Sequence, residues 1–116
     1  MVAEGLGVKK DLRIAADLFE KSARSGNPAA QYNLALIYLD GKGRAADDAK
    51  AAEWMQKAAA AGNPQAQYDL AAQYLFGRGV PLDKTKAAEW SGRAADAGLA
   101  DAQVEYGVML FKGEGV

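Results

Sequence analysis

Apolar residues recur along this chain three and four apart, in runs separated by glycine-marked breaks. Between Asp48 and Ala61, the residues Ala51, Trp54, Met55, Ala58 and Ala59 fall on one side of a helix, the pattern of an amphipathic element. In the run before it, Ala30, Leu34 and Tyr38 make one row. Tyr32, Leu36 and Leu39 make a second row well round from the first, at about 100° per residue. A helix apolar over so much of its circumference suits an inner position, touching its own partner and both neighbouring pairs. Ala35, Ala71 and Gly107 keep one column small, which lets helix backbones approach closely.

The pattern repeats. Shifted by 36 residues, Gln67–Ala102 matches Gln31–Ala66 at 19 of 36 positions. Such a period signals an array of supersecondary units that bury a core only by stacking. The whole chain, 1–116, reads as one array: a partial repeat over 1–30, repeats over 31–66 and 67–102, and a partial repeat over 103–116. A pattern that opens and closes inside a copy is expected of a segment of a longer array.

Each copy carries its own punctuation. Asn27-Pro28 and Asn63-Pro64 place an N-cap before a proline at the first helical position. They predict helices running to about Asp40 and Phe76, and the corresponding Leu99-Ala100 predicts a less cleanly started one. Gly5, Gly41, Gly77 and Gly113 form one loop column, and Gly7, Gly43, Gly79 and Gly115 the next. Asp11, Asp47 and Asp83 then stand as caps for helices expected over Leu12–Ser25, Asp48–Ala61 and Lys84–Ala97, which end at Gly26, Gly62 and Gly98. On this reading Met1–Val8 is a loop. Glu53 and Lys57, like Glu89 and Arg93, are spaced for exposed ion pairs worth about 0.2–0.5 kcal/mol each. Ser91-Gly92 interrupts the third of these helices where Met55-Gln56 stands in the second, and a glycine there costs about 1 kcal/mol relative to alanine.

Composition narrows the chemistry. Fourteen basic residues against fifteen acidic, with no run of either sign, provide no phosphate-tracking stripe, so nucleic acid is not an expected partner. No apolar run approaches the roughly 20 residues of a membrane span. The chain has no cysteine and no histidine, which removes disulfides, thiolate ligands and the commonest general base, and excludes a serine–histidine nucleophile.

The columns Ala30, Leu34, Ala35, Tyr38, Gly41, Gly43, Asp47, Lys50, Ala51, Trp54, Lys57, Ala58, Ala59 and Gly62 recur 36 residues on, from Ala66 to Gly98. Together they resemble the Sel-one-like repeat, a relative of the tetratricopeptide repeat. The chain departs from that pattern at Leu18, where an aromatic is usual, at Ile14, where a lysine is usual, and at Ser91, where the family often has an aromatic residue. The resemblance implies an all-α, right-handed α-solenoid of antiparallel helix pairs. It also implies a non-catalytic scaffold or adaptor that holds other proteins together, in bacterial envelope, signalling and host-interaction pathways among others.

Several motifs invite sharper readings. Gly41-Lys42-Gly43 and Gly77-Arg78-Gly79 look like phosphate cradles, but they lack the preceding strand and third glycine of a dinucleotide fingerprint. Their recurrence in every loop points to a turn requirement instead. Trp54 and Trp90 face the alanine stripe, as core residues do. Asp40, Asp47, Asp48 and Glu53 match no calcium-loop spacing. No metal, cofactor or catalytic residue is expected.

By analogy with tetratricopeptide arrays, the partner-binding candidates lie on the first helix of each pair: Tyr32, Asn33, Leu36, Asp40, Tyr68, Asp69, Ala72, Phe76 and Glu105. Tyrosines beside carboxylates suit an extended peptide or a helix bearing some basic residues. The alternatives are a structural spacer and an envelope protein binding cell-wall glycan or its enzymes. Tyr106, Met109, Leu110 and Phe111 are the expected self-association surface of an uncovered repeat end.

Overall fold

The computed structural model describes the backbone of residues 2–116 and the side chains of residues 10–116. Six helices follow one another: α1 (Val2–Arg24), α2 (Pro28–Asp40), α3 (Asp48–Ala60), α4 (Pro64–Phe76), α5 (Lys84–Asp96) and α6 (Ala100–Lys112). No strand occurs among the described residues. Each helix packs on its neighbours in sequence, α1 on α2, α2 on α3, and so on to α5 on α6. The body this builds is elongated, 52 × 27 × 24 Å. The chain is an all-α solenoid.

Local chemistry sets the helix ends. Asn27 and Asn63 accept from the Ala30 and Ala66 amides, and Asp47 and Asp83 from those of Lys50 and Lys86, each satisfying a donor that the first turn leaves free. Leu99 takes the same extended backbone as the asparagines but makes no side-chain cap bond. So α6 begins in register, without the extra anchor.

A glutamine column that the sequence reading left without a role ties the turns together. Gln31, Gln67 and Gln103 donate through Nε2 to the carbonyls of Ala23, Ala59 and Ala95, in the last turn of the helix before.

The core is layered between helices. Ala35, Met55, Leu70, Ala71 and Trp90 form a central cluster contributed by α2, α3, α4 and α5. Leu34, Tyr38 and Ala51 form a second cluster with α1, and Ala87, Ala88 and Met109 a third toward α6. Trp90 is buried, whereas Trp54 is half-buried between two clusters and Leu18, in the same column, is exposed.

Two expectations fail. The stretch read as a loop, Met1–Val8, is helical from Val2 onward, Met1 lying outside the described residues, and Asp11 sits inside α1 instead of capping it. In later copies the loop is held by the preceding helix, since the Asp47 and Asp83 amides each donate to a carbonyl there, Tyr38 and Tyr74, at 2.9 Å. The position equivalent to Tyr38 is Val2, which itself lies in α1, so no separate preceding helix offers that acceptor to Asp11 among the described residues, and helix propagation takes the segment. The second failure concerns Glu53–Lys57 and Glu89–Arg93, which form no ion pair among the described residues. Lys57 instead lies 4.4 Å over the Trp54 ring and Arg93 4.6 Å over that of Trp90. A cation over an indole face covers apolar surface as well as gaining electrostatic attraction, which an exposed carboxylate does not offer.

Candidate partner-binding face

The loops between helix pairs are inter-repeat clamps. Gly41 and Gly77 adopt φ of +70° and +67°, the left-handed caps of α2 and α4. The second glycine of each loop lies against the backbone of the preceding repeat, Gly43 against Leu12, Gly79 against Asp48 and Gly115 against Lys84, too close for any side chain. The second glycine thus serves close packing between repeats, in line with the turn requirement expected from its recurrence. The loop arginines reinforce the clamp. Arg78 donates to the Leu39 carbonyl at 3.1 Å and to the Asp48 carboxylate at 3.2 Å. Arg44 donates to Glu20, to Asp17 at 2.9 Å and to the Tyr38 hydroxyl at 3.0 Å. Its bond to Glu20 holds that carboxyl below the ordinary range and raises the guanidinium's own pKa.

The structure divides the candidate binding residues. Tyr32 is half-buried and donates through its hydroxyl to Asp69 at 2.7 Å, a bond between successive repeats. Burial first, and this bond second, push the phenol's pKa up. Asp69 also accepts from Gln65 at 3.3 Å, yet burial outweighs both donors and raises its carboxyl. Leu36 packs on the central cluster, and Asn33 donates to the Ala29 carbonyl of its own helix. Tyr32 therefore belongs to the joint between repeats and Leu36 to the central cluster.

Tyr68, Asp69, Ala72, Phe76 and Glu105 line two adjoining clefts. The first, about 90 Å³, lies between α4, α5 and α6, with Tyr68, Ala72, Leu75, Phe76, Ser91 and Glu105 among its walls. The second, about 370 Å³ and more open, is bounded by Leu39, Asp69, Ala72, Gln73, Phe76 and Arg78. Ala72 and Phe76 form the ridge shared by both, and Phe76 is 74% exposed. Asn33 and Asp40 lie outside both clefts. The Tyr68 phenol is pushed up by burial and then by the negative charges of Asp101, Glu105 and Asp69, and no lysine or arginine pairs with those carboxylates among the described ion pairs. This face combines exposed aromatic surface with carboxylates that form no ion pair among the described residues, since Arg78, in the wall of the second cleft, pairs with Asp48 instead.

The sequence reading missed Leu75, Ser91 and Met109 as cleft walls. The available signal was Ser91 itself, a small polar residue in the column filled by Met55 one repeat earlier. Gly92, without explanation from sequence, now has one: a Cβ there would come within 3.2–3.5 Å of the Tyr106 ring. Tyr106 stands in the column of Leu34 and Leu70, and the glycine makes room for the larger ring. At α6, Tyr106 and Met109 turn inward, while Val104, Val108, Leu110 and Phe111 are the exposed large apolar residues, at 68%, 41%, 52% and 92%. Only Leu110 and Phe111 of the expected self-association surface thus lie open. Among the described residues no helix is long and apolar enough to cross a membrane, and no group of acidic residues is arranged to hold a metal ion.

Comparison with known proteins places this architecture. No curated protein matches the chain. Among solved structures, it is similar to a protective antigen of uropathogenic Escherichia coli displaying an SLR fold, with a TM-score of 0.83 and 37% identity over 87% of this chain. The chain spans only 22% of that protein's length. It is similar to a Sel1 repeat protein from Oxalobacter formigenes, with a TM-score of 0.78 and 41% identity over 84% of this chain and 74% of the other. Helicobacter pylori cysteine rich protein B shares the fold at a TM-score of 0.72 and 23% identity, over 75% of this chain and 65% of its own. Sel1 repeat proteins are in general non-catalytic helical scaffolds for protein–protein interaction. The Sel1 repeat matches residues 1–27, 28–63, 64–99 and 100–116, and with repeats thus covering its length this chain belongs to the Sel1 repeat family.

Proposed function

We propose that this protein is an adaptor whose α4-centred face takes a peptide or helix of a partner protein carrying basic residues. One observation carries the reading: Phe76 stands exposed on the ridge between two clefts, with the Asp69 and Glu105 carboxylates on either side and no basic side chain among the described ion pairs to neutralise them. Exposed aromatic residues in a concave, partly apolar setting are the usual anchors of an interface, and charge complementarity selects the partner and its orientation. The nearly balanced charge of the chain, 14 basic against 15 acidic, disfavours nucleic acid as that partner. Phe111 and Leu110 on α6 support a secondary role in self-association through an uncovered face.

The experiment is a peptide array probed with the full chain and with Tyr68→Ala/Asp69→Lys. Capture of basic, aromatic-tolerant peptides by the parent and loss of most of that capture in the double variant is the expected result. Equal capture by both proteins refutes the reading. Saturable binding of peptidoglycan fragments without peptide capture replaces it with a glycan-binding role, and no capture of either kind leaves a structural spacer.

A further inference from the structure

The cleft between α4, α5 and α6 has a counterpart one repeat earlier that is filled. There, Met55 is fully buried, Leu36 packs against the same cluster, and the Tyr32 hydroxyl closes onto Asp69. In the later copy Met55 becomes Ser91, Leu36 becomes Ala72 and Asp69 becomes Glu105, while Tyr68 makes no such closing hydrogen bond among the described residues. The two truncations remove apolar side-chain volume from one spot. What remains is a cavity of about 90 Å³ with Tyr68, Leu75, Phe76 and Met109 in its walls.

Apolar voids without polar groups stay empty or take apolar guests. This one is different. Ser91 is 1% exposed and lines the cavity, yet its hydroxyl has no hydrogen-bond partner among the described residues. A buried hydroxyl left unmade is costly, and its presence argues for a polar atom supplied from outside. Glu105 lines the same cavity, and Asp101 and Asp69 add negative charge around Tyr68.

Resting on the peptide-binding reading above, we propose that this cavity is the receptor for a lysine side chain of the partner polypeptide. The shape fits: Met55, the residue that fills the corresponding volume, is unbranched, and so is the lysine stem. The chemistry fits as well. An ammonium group carries three donors and no acceptor, and the cavity offers a carboxylate and a free hydroxyl oxygen as acceptors. The apolar walls cover the methylenes, as they do for lysine stems laid along protein surfaces. A guanidinium, planar and wider, is a poorer match to space shaped for an unbranched chain.

The test needs no knowledge of the partner. The chain has three methionines, of which Met109 lines the cavity and Met55 lies in its filled counterpart, so their methyl resonances give a reporter and an internal control. The full chain, labelled at the methionine methyls, is titrated with n-butylammonium chloride and, separately, with 1-pentanol at matched ionic strength. The expected result is a saturable shift of the Met109 methyl by n-butylammonium, with a Kd on the order of millimolar for so small a ligand, and a still Met55 methyl. Glu105→Gln should weaken this about tenfold. Ser91→Met, which refills the cavity, should abolish it.

Equal shifts from 1-pentanol, unchanged affinity in Glu105→Gln, or a Met109 response no larger than that of Met55 overturns the lysine assignment. If any of these occurs while the array still captures peptides through Tyr68 and Asp69, the peptide-binding reading survives and the lysine receptor alone falls. If n-butylammonium binds but the array captures only lysine-free peptides, the lysine receptor alone falls, and if it captures no peptide at all, both fall.

Discussion

The loop glycines provide the sharpest test of how one repeat holds the next. Gly62 and Gly79 both have positive φ, +96° and +79°. Their surroundings differ: a Cβ on Gly62 meets nothing within 4 Å, whereas one on Gly79 runs into the Asp48 carbonyl at the start of α3. Alanine at either site carries the conformational cost of a left-handed backbone, about 1–2 kcal/mol. At Gly79 it must also push the loop away from α3, which strains the Arg78 bonds to Leu39 and Asp48 and adds an overpacking cost of about 1–3 kcal/mol. Gly62→Ala is therefore expected to lose about 1–2 kcal/mol and Gly79→Ala about 2–5 kcal/mol. Urea denaturation followed by circular dichroism measures both. For a domain of this size each kcal/mol corresponds to roughly 4 °C in Tm, so the difference is also visible in a thermal scan. If the two variants fall within about 0.5 kcal/mol of each other, the close approach between loop and preceding helix does not contribute to stability and the clamp is wrong.

Two other predictions follow from burial and charge. Trp90→Ala, removing a buried indole from the central cluster, should cost about 3–5 kcal/mol, and Trp54→Ala, at a half-buried site, measurably less; equal losses in denaturation would mean the two indoles are equally buried. Asp69 has its carboxyl raised by burial above its ordinary 3.8. For an acid raised in the folded state, the stabilising contribution is complete below the unfolded value and disappears as pH climbs through the folded one. Asp69→Asn, which keeps an acceptor for Tyr32, should thus flatten the stability profile from about pH 4 upward and be at least as stable as the parent at pH 7. A variant as pH-dependent as the parent, or clearly less stable at pH 7, contradicts this.

The repeats were legible because each carries complete local instructions. Asn63 ahead of Pro64, Asp83 ahead of Lys84 and glycine after each helix fix boundaries through backbone chemistry confined to a few residues. The small and apolar columns at Ala35, Leu70 and Met55 likewise announced burial, and these residues lie in the core. Cation placement was not legible. Spacing alone made Glu53 and Glu89 the partners of Lys57 and Arg93, but which neighbour a long side chain meets depends on where the indoles stand once the helices have packed.

What the sequence determined by itself is the list of helices from α2 onward, their caps and the side each turns inward, because those depend on residues close along the chain. The tertiary structure decided the rest. The expected first loop became part of α1, since the carbonyl that holds its equivalents belongs to a neighbouring helix and not to the loop. The joint between Tyr32 and Asp69 spans 37 residues, and the cleft around Ser91 draws its walls from three helices. A serine in a methionine column is only an irregularity until α4, α5 and α6 close round it, and only then do the lost volume, the free hydroxyl and the nearby carboxylate become one site.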